Sequence, residues 1–426
     1  MPAFKKYYFT RGALIRKEHF GCLVLLRNGK RYLVDCAFFS FFQLINSGQK
    51  IQITKKSDSN FIKELEYKNI ITGKKSEGGI PKIIENDFIS KDCLTYPRTV
   101  YWECTNLCNY NCIHCYSSSG NKNKTAFLPF KIIKKMIREF ARLGVEFLSI
   151  GGGEPLLYPD IFNAIKYATS LGLAIEMTTN GSLLTSQVIE KLKSSGLKFI
   201  QISLDGANPK TYNKIRINGN FDYVIDAINR AAKNFTLSVC TVINKLNKFE
   251  ILDILEITKL AGAKHYRVIP QMDVGRGENV KKLRLSRREL RAANELVSKL
   301  RRTERGIINV QFNENLLSPK EKNIFWMPEN HYGCSAARTT CGIDAKGNVY
   351  PCSFMAREEL RCGNIKNKTL LEIWSNSKVM KCIRGVEKIT GKCSKCRYLK
   401  TCRGGCRAAA YLKNSKINSS DPLCVI

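Results

Sequence analysis

The sequence Cys108-Asn-Tyr-Asn-Cys112-Ile-His-Cys115 places three cysteines within eight residues. It follows an apolar segment, residues 99–103, that is typical of a buried β-strand, so the cysteines are expected in the loop beyond that strand. A structural zinc site needs four protein ligands, whereas three thiolates suit a [4Fe–4S] cluster with one iron left open. A zinc knuckle with Cys104 as the fourth ligand is the alternative, and Cys104 can equally be a core residue.

Outward from this loop, strands and helices alternate from residue 98 to about residue 311. The pattern predicts strands at 99–103, 147–150, 174–178, 199–204, 237–242 and 266–269, with helices such as 129–143, 161–171 and 247–261. Strict alternation implies parallel strands with right-handed crossovers. Six such units predict an α/β fold with a partial (β/α)6 TIM-like barrel, whose chemistry lies at the carboxyl ends of the strands.

Short motifs follow these strands. They are Gly151-Gly152-Gly153-Glu154-Pro155 after the second, Thr179-Asn180-Gly181 after the third, Ser203-Leu204-Asp205-Gly206 ending the fourth with Arg216 downstream, and Pro270 with Gly275-Arg276-Gly277 after the sixth. Each alone indicates only a tight turn. Together, in order and each at a strand end, they favour one composite site.

The cysteine loop resembles the CxxxCxxC motif of the radical SAM superfamily, and the strand-end motifs are similar to that family's GGE, TNG and SLDG motifs. The resemblance implies that Cys108, Cys112 and Cys115 hold a [4Fe–4S] cluster whose open iron binds S-adenosyl-L-methionine (SAM). The reduced cluster would cleave SAM to a 5′-deoxyadenosyl radical that abstracts hydrogen from the substrate. The SAM-contacting residues it implies are His114, Tyr116, Gly152, Gly153, Glu154, Thr179, Asn180, Ser203, Asp205 and Arg216. Here Arg216 is followed by Ile217-Asn218 in place of the family's commoner glycine.

A second group of cysteines lies near the C-terminus. Twelve residues, Gly347 and four more residues separate Cys334 from Cys352, and Cys341 lies between them; Cys393, Cys396, Cys402, Cys406 and Cys424 follow. The spacing alone allows a zinc ribbon. Eight thiolates are too many for one zinc ion, however, and suit two four-iron clusters.

This segment resembles the SPASM domain that follows the barrel in many peptide-modifying radical SAM enzymes. The resemblance implies one auxiliary cluster on Cys334, Cys341, Cys352 and Cys406, and another on Cys393, Cys396, Cys402 and Cys424, which makes three [4Fe–4S] clusters in all. If Cys341 does not bind, the first auxiliary cluster has an open iron for a substrate thiolate. The other cysteines are predicted to be ordinary buried thiols: Cys22, Cys36, Cys93, Cys240, Cys362 and Cys382.

The first ninety residues form a separate pattern. Residues 21–34 predict two strands around Asn28-Gly29, and FFSFFQLIN and FIKELEYKNII have helical spacing. We therefore predict three domains, a winged-helix-like module at 1–92, the barrel at 93–315 and the SPASM domain at 316–426. The module is similar to the peptide-recognition domain of maturases, in which a sheet edge accepts a leader peptide. Its apolar pockets, or simply its helix core, would come from Phe38, Phe39, Phe41, Phe42 and Leu44.

Composition restricts the partners. The 426 residues include 70 Lys and Arg against 36 Asp and Glu, a net charge of +34. Such an excess predicts an acidic partner, unless it merely reflects the codon bias of an AT-rich genome. Neither a membrane-spanning apolar run nor a secretory signal is present in the sequence, so we expect no membrane partner and a cytoplasmic location.

Three functions are compatible with these features. The first is a radical SAM/SPASM maturase that crosslinks a ribosomal precursor peptide with an acidic leader, by a thioether or a carbon–carbon bond, with flavodoxin or ferredoxin as electron donor. The second is maturation of a cofactor or tetrapyrrole precursor, or of a sulfatase. The third is an iron–sulfur regulator that binds nucleic acid through the winged helix; without a basic recognition helix, nucleic acid is not the expected partner.

Overall fold

The computed structural model describes residues 4–26, 31–35, 39–52, 56–79, 82–85, 88–120, 127–312, 333–385 and 389–424. The chain divides into two compact units, one containing Met1–Tyr96 and Arg142–Gly144, the other containing Pro97–Ala141, Val145–Asn323 and Tyr332–Ile426. The predicted domain boundary at 315–316 lies outside the described residues, and the one at 92–93 stays a prediction.

The N-terminal unit is built from short strands. The described strands are β1 (Phe4–Lys5), β2 (Tyr8–Thr10), β3 (Leu14–Glu18), β4 (Gly21–Leu25), β5 (Arg31–Asp35), β6 (Ile51–Gln52), β7 (Ile71–Thr72), β8 (Gly78–Gly79) and β9 (Lys82–Ile84). They form one sheet of order β7-β2-β8 and another of order β5-β4-β3-β9, and β1 pairs with β6. The predicted strands around Asn28-Gly29 are β4 and β5, which pair antiparallel from Gly21 with Asp35 to Leu25 with Arg31. The turn itself lies outside the described residues. The sequence predicted only this pair. Most of the other strands have two or three residues, too few to show a periodicity, but the five-residue strand β3 was also missed.

The described residues of this unit also form two helices, α1 (Phe39–Asn46) and α2 (Lys56–Tyr67). The predicted helical segment FIKELEYKNII is only partly helical, since it ends at Tyr67 and Ile71 enters β7. Phe39 and Phe42 are core residues, Phe41 packs against that core, and Leu44 is exposed. Phe38 lies outside the described residues. The helix-core alternative therefore holds for Phe39 and Phe42.

The second unit contains the predicted barrel. Seven parallel strands lie side by side in chain order, β10 (Thr99–Thr105), β11 (Phe147–Gly152), β12 (Ala174–Thr179), β13 (Phe199–Ser203), β14 (Thr236–Ile243), β15 (His265–Pro270) and β16 (Asn309–Phe312). The six predicted strands are β10 to β15, which confirms the α/β partial barrel. The seventh, β16, was not predicted as a strand.

Helices follow the strands as crossovers that cover one face of the sheet. Alternate strand residues such as Ile150, Met177, Ile202, Val239 and Val268 are fully buried on that face. The helices are α3 (Phe130–Leu143), α4 (Ile161–Ser170), α5 (Ser186–Ser194), α6 (Pro209–Ile215), α7 (Phe221–Ala232), α8 (Ile251–Leu260) and α9 (Arg287–Thr303).

The helix predicted at 247–261 begins later, at Ile251. Asn247 instead stabilises the preceding loop, because its side-chain amide donates to the carbonyls of Asp205 and Val242, 3.0 Å each. Its side-chain oxygen accepts from the Asn244 amide at 2.8 Å. An asparagine that bonds to local backbone competes with helix formation, and this delays the helix by one turn.

The cysteine-rich segment extends the barrel sheet. Strand β17 (Thr340–Ile343) pairs in parallel with β10, and β18 (Asn348–Tyr350) and β19 (Gly363–Asn364) add antiparallel strands beyond it. Short helices follow: α10 (Leu370–Asn376), α11 (Lys378–Arg384), α12 (Leu399–Cys402) and α13 (Arg407–Asn414). Within the described ranges, no helix has the length and apolar character that crossing a membrane requires.

Candidate iron–sulfur and cofactor site

The cysteine loop lies at the carboxyl end of β10, as predicted. Cys108, Cys112 and Cys115 pack around Tyr110 in one cluster of side chains. Burial raises the pKa of the Cys112 thiol to about 12, although Arg216 opposes the shift. Because iron binds the thiolate, loading this loop must release protons and supply positive charge to the buried sulfurs.

Two of the three sulfurs, those of Cys108 and Cys112, have N–H donors nearby. The Tyr110 amide donates to Cys108 Sγ at 3.4 Å, and Asn180 Nδ2 lies 3.9 Å from the same sulfur. Arg216 Nη1 lies 3.8 Å from Cys112 Sγ. Donors aimed at sulfur stabilise the thiolate form.

The glycine motif after β11 packs directly on the start of this loop. The Gly153 amide donates to Thr105 O and the Glu154 amide to Leu107 O, both at 2.7 Å. A Cβ on Gly153 would lie 1.8 Å from Leu107 O, so no other residue fits there. The turn therefore has a structural role, because its two backbone hydrogen bonds hold the start of the cysteine loop at the end of β10.

Glu154 is fully buried beside that loop. Its carboxylate accepts hydrogen bonds from Thr179 Oγ1 (2.8 Å), the Asn180 amide (2.9 Å) and the Leu156 amide (3.2 Å). Burial raises the pKa of Glu154, and these three bonds oppose the shift. A carboxylate has about four acceptor positions, so one is left for a further donor such as an ammonium group.

Asp205 links the fourth-strand motif to the cysteine loop. Its Oδ2 lies 2.8 Å from Arg216 Nε and 3.2 Å from His114 Nε2, and Oδ1 accepts from the Val242 amide at 2.7 Å. Burial acts to raise the pKa of Asp205, but Arg216 and His114 together lower it to about 2. With these partners Asp205 orients Arg216 and His114, and its predicted contact with SAM stays a prediction.

The other candidates lie around the same loop. Thr179 and Ser203 are the last residues of β12 and β13, and Asn180 Nδ2 also donates to Asn109 Oδ1 at 2.9 Å. The Tyr116 ring packs edge-on against Phe354. The structure thus brings all ten predicted SAM-contacting residues to the loop or to the strand ends that surround it.

The Gly275-Arg276-Gly277 run closes the loop from the far side. Arg276 Nε donates to Cys112 O at 2.8 Å and Nη1 to Ser119 O at 2.6 Å. Gly275 has φ +58°, and a Cβ there would lie 2.3 Å from Tyr116 O. The sequence singled out this run, but the loop-clamping role of Arg276 was missed because no local pattern encodes it.

The inner face of the barrel carries polar residues that sequence reasoning also missed. Arg267 Nη1 donates to Gln201 Oε1 at 2.9 Å, and Gln201 Nε2 lies 3.4 Å from Thr178 Oγ1. Ser238, on the strand between them, is 93% buried and its hydroxyl has no hydrogen-bond partner among the described residues. Polar residues at every second position of an otherwise apolar strand were the available signal.

Glu103 connects the two cysteine-rich regions. This inward-facing residue of β10 contacts Tyr116 and Ser353 by side-chain hydrogen bonds, and burial raises its pKa to about 7. Tyr116 follows Cys115, and Ser353 follows Cys352. A buried carboxylate therefore lies between the cysteine loop and the C-terminal cysteines.

Three of the four cysteines predicted for the first auxiliary cluster lie together. Burial raises the pKa of the Cys406 thiol well above its usual value, and the nearby thiols of Cys334 and Cys352 raise this pKa further. Cys406 precedes α13, whose Ala409 amide donates to its sulfur at 3.4 Å. The fourth, Cys341, has different neighbours. Burial raises the pKa of its thiol, Cys362 raises this pKa further, and Arg384 lowers it.

The second predicted set lies on consecutive short segments. Cys393 is in a turn of 3₁₀ helix (Gly391–Lys395), Cys396 follows it, and Cys402 ends α12. The Cys393 amide donates to Ser420 Oγ at 3.0 Å and the Thr390 amide to Asn418 O at 2.8 Å, which brings the segment before Cys424 alongside. Ligation by these four stays a prediction.

The cysteines outside the motifs are mostly as predicted. Cys22, Cys93, Cys104 and Cys240 are buried, and Cys362 is partly buried. The prediction is wrong for Cys382, which is exposed because it lies on the solvent side of the short helix α11. Cys36 lies outside the described residues.

In the described part of the chain, no group of three or more His, Cys, Asp or Glu side chains is close enough to hold a single metal ion. Cys104 points into the core beside Glu154 and is not part of the Cys108–Cys115 cluster. Cys104 is therefore not positioned as the fourth ligand that the zinc-knuckle alternative requires. The N–H donors near Cys108 and Cys112, with Ser117 Oγ 3.4 Å from Cys115 Sγ, suit an anionic iron–sulfur cluster.

Comparison with known proteins agrees with this geometry. A model of the radical SAM superfamily matches residues 102–260, and a model of the iron–sulfur cluster-binding SPASM domain matches residues 334–403. The AdoMet-dependent heme synthase of Methanosarcina barkeri is 31% identical over 343 residues, covering 77% of this chain and 96% of that protein. The mycofactocin maturase MftC of Mycobacterium tuberculosis is 31% identical over 351 residues, covering 81% of this chain and 86% of MftC.

Among solved structures, Streptococcus suis SuiB has a TM-score of 0.75 at 21% identity, and the match covers 98% of this chain and 99% of SuiB. SuiB has also been solved bound to S-adenosylmethionine and to precursor peptide SuiA. This chain belongs to the radical SAM superfamily and carries a C-terminal SPASM domain. It is an enzyme that uses SAM and a [4Fe–4S] cluster, and its SPASM domain binds additional clusters.

The first test concerns the cysteine loop. We expect about twelve irons per chain after anaerobic reconstitution, and about eight when Cys108, Cys112 and Cys115 are all changed to Ala. SAM cleavage should disappear in that variant. The exposed Cys382→Ala is the matched control and should keep the full iron content. Unchanged iron in the triple variant, or zinc in the wild-type protein, would show that the loop has been assigned wrongly.

The second test concerns Glu154. Glu154→Gln keeps the shape of the side chain but removes the charge that would pair with the SAM ammonium group, so we expect intact clusters and SAM binding weaker by tenfold or more, about 1.5–3 kcal/mol. Equilibrium dialysis of SAM, with iron content measured on the same sample, reports both. Wild-type SAM affinity in this variant would mean that the glycine turn and Glu154 have only a structural role.

Proposed function

We propose that this chain is a maturase that crosslinks a ribosomally made precursor peptide. The expected product is a thioether between a cysteine sulfur and a carbon of another residue, with a carbon–carbon bond between side chains as the second form. The partners are a precursor peptide with an acidic leader and an electron donor such as flavodoxin or ferredoxin.

The observation that carries this proposal is the extent of the fold match. SuiB, which binds a precursor peptide, matches 98% of this chain, whereas almost all of the heme synthase aligns with only 77% of it. The radical SAM match begins at residue 102 and the SPASM match at residue 334, so residues 1–96 of the N-terminal unit lie outside both. A unit that the barrel chemistry does not need is best explained by recognition of a macromolecular substrate.

The N-terminal unit has the architecture for strand addition. In its sheet of order β5-β4-β3-β9, strand β5 is the outermost described strand on one side and pairs antiparallel with β4. An extended leader that joins this edge gains main-chain hydrogen bonds, while alternate side chains provide specificity. The net charge of +34 would speed the encounter with an acidic leader.

The residues at the barrel mouth would have different roles in this reaction. Cys108, Cys112 and Cys115 would hold the cluster, Glu154 would receive the SAM ammonium group, and Arg216, oriented by Asp205, would face the SAM carboxylate. The cluster and SAM together supply a carbon-centred radical that abstracts hydrogen. The auxiliary clusters would be held by the SPASM cysteines and accept the electron released from the substrate.

A thioether forms by loss of two hydrogens. The bond would join a sulfur that has lost its proton to solvent and a carbon that has lost one hydrogen atom to the radical. A cluster held by the SPASM cysteines would supply the acceptor for the one remaining electron. The polar inner face of the barrel, with Arg267, Gln201 and Ser238, would hold the backbone or side chains of the reacting segment.

A second candidate is maturation of a tetrapyrrole. It is favoured by the 31% identity with the heme synthase across 96% of that protein. This reading gives the N-terminal unit no part in the reaction.

The decisive experiment is a mass measurement. The reconstituted full chain, with SAM and reductant, is mixed with a short cysteine-bearing precursor peptide that has an acidic leader, and the mass of the product is measured before and after iodoacetamide. We expect a loss of two hydrogens and a cysteine that no longer alkylates. A peptide without its leader is the control and should react poorly. If the full-length peptide stays unmodified and the enzyme converts a tetrapyrrole, tetrapyrrole maturation becomes the better supported function.

The barrel lining gives a further prediction. Arg267→Met removes a charged donor from the inner face without touching the cysteine loop, so the KM for peptide should rise by about tenfold to a hundredfold, from the loss of a charged hydrogen bond. Uncoupled deoxyadenosine formation should stay within about twofold of wild type. Arg302→Met, on the exposed side of α9, is the matched control. Equal peptide kinetics in both variants would place substrate binding away from Arg267.

A further inference from the structure

Glu103 on β10 is a buried carboxylate to which the cofactor site gives no role. Its Oε1 atom is inaccessible to solvent and has no hydrogen-bond partner among the described residues. Glu154 differs, because three hydrogen bonds hold its carboxylate. An acceptor that is left unpaired away from water costs free energy, so packing alone does not explain a glutamate at position 103.

The strand register places Glu103 in a row of polar residues that lines the barrel. In the parallel pairing of β10 with β11, Glu103 is opposite Gly151. Two strands further along, Thr178 is paired with Gln201, and Gln201 is paired with Ser238. Residues paired in this way share a face of the sheet. Glu103 therefore belongs to the same lining as the side chains that we expect to hold the reacting segment of the substrate.

The row is open beside Glu103, because its neighbour Gly151 has no side chain. A Cβ on Gly151 would meet only the Thr178 Cβ among the described residues, at 4.0 Å, which is an ordinary van der Waals contact. Gly153 differs, since a Cβ there would clash with backbone. Close packing thus does not require glycine at position 151, and the missing side chain leaves room for a substrate group between Glu103 and Thr178.

The groups around Glu103 favour uptake of a proton. Tyr116 from the cysteine loop and Ser353 from the C-terminal segment are its hydrogen-bonding neighbours, and Asp344 adds a like charge. The Cys352 thiol lies within range of the same carboxylate. None of these groups carries a positive charge, and burial raises the pKa of Glu103 to about 7. A base with a pKa near the working pH is the most effective in proton transfer.

We propose that Glu103 is the general base that removes the proton from the substrate's cysteine thiol. A free thiol has a pKa of about 8.5, so most of it is protonated at neutral pH. The S–H bond breaks, its electron pair stays on sulfur, and the proton moves to the Glu103 carboxylate, which later releases it to solvent. The carbon partner loses its hydrogen atom to the deoxyadenosyl radical, and a SPASM cluster accepts the one remaining electron. The inference rests on the proposed crosslinking function.

The first test removes the base. Glu103→Gln keeps the shape of the side chain, and we expect crosslinking of the cysteine-bearing precursor peptide to slow by about 10²–10⁴-fold, with iron content unchanged. Glu103→Asp keeps a carboxylate and should recover part of the rate. Glu295→Gln, exposed on α9, is the matched control. A wild-type rate in Glu103→Gln would overturn this inference and leave the proposed function standing, whereas a wild-type enzyme that forms no crosslink would overturn both.

The second test follows the proton itself and also covers the case in which Glu103→Gln does not fold. A base acts only when it is unprotonated, so the wild-type crosslinking rate should rise with pH through about 7 and then level off. A precursor peptide with selenocysteine in place of cysteine should lose this rise, because a selenol is already ionised at neutral pH. The same peptide should restore at least part of the rate of Glu103→Gln. A rate that is flat through about pH 7 with the cysteine peptide, or a rise that persists with the selenocysteine peptide, would contradict the role of Glu103 as the base.

Discussion

The site depends on the backbone contact between the glycine turn and the start of the cysteine loop. The Gly153 and Glu154 amides donate to carbonyls at Thr105 and Leu107, and the missing Cβ of Gly153 permits that approach. From the opposite side, Asn111 and Ile113 amides donate to Ile217 and Ile215 carbonyls next to Arg216. These main-chain bonds on both sides of the loop hold the backbone from which the three thiols project.

Buried charge is the second constraint on this loop. Asp205 and Arg216 are both almost completely buried, and removing one partner of such a pair costs about 3–5 kcal/mol because the other charge is left uncompensated. His114 shares the same carboxylate, while Arg216 reaches towards Cys112. One aspartate therefore couples the position of the cluster loop to that of the arginine expected at the cofactor. This explains why the motif that supplies Asp205 lies on a different strand from the cysteines.

Sequence reasoning predicted the parts of this molecule that repeat a local period. Strands β10 to β15 and the cysteine loop followed from strand–helix alternation and from thiol spacing. Arg276, Glu103 and Gln201 were missed, because their roles come from contacts between residues far apart in the chain. Asn247 shows the converse case, in which a helical pattern was overridden by side-chain bonds to the backbone of a distant strand end.

The extension of the barrel sheet by β17 has a consequence for the auxiliary cysteines. Because β17 continues the sheet at β10, the two-residue period of β10 also decides which C-terminal residues face the barrel. Glu103 and Gly342 fall on the inner face, and Cys341 falls on the outer face with Val100. Sequence spacing counts residues between cysteines but carries no information on sheet face, so Cys341 looks equivalent to Cys334 and Cys352 in the sequence. Its pairing with β10 places it opposite Val100, on the outer face of the sheet.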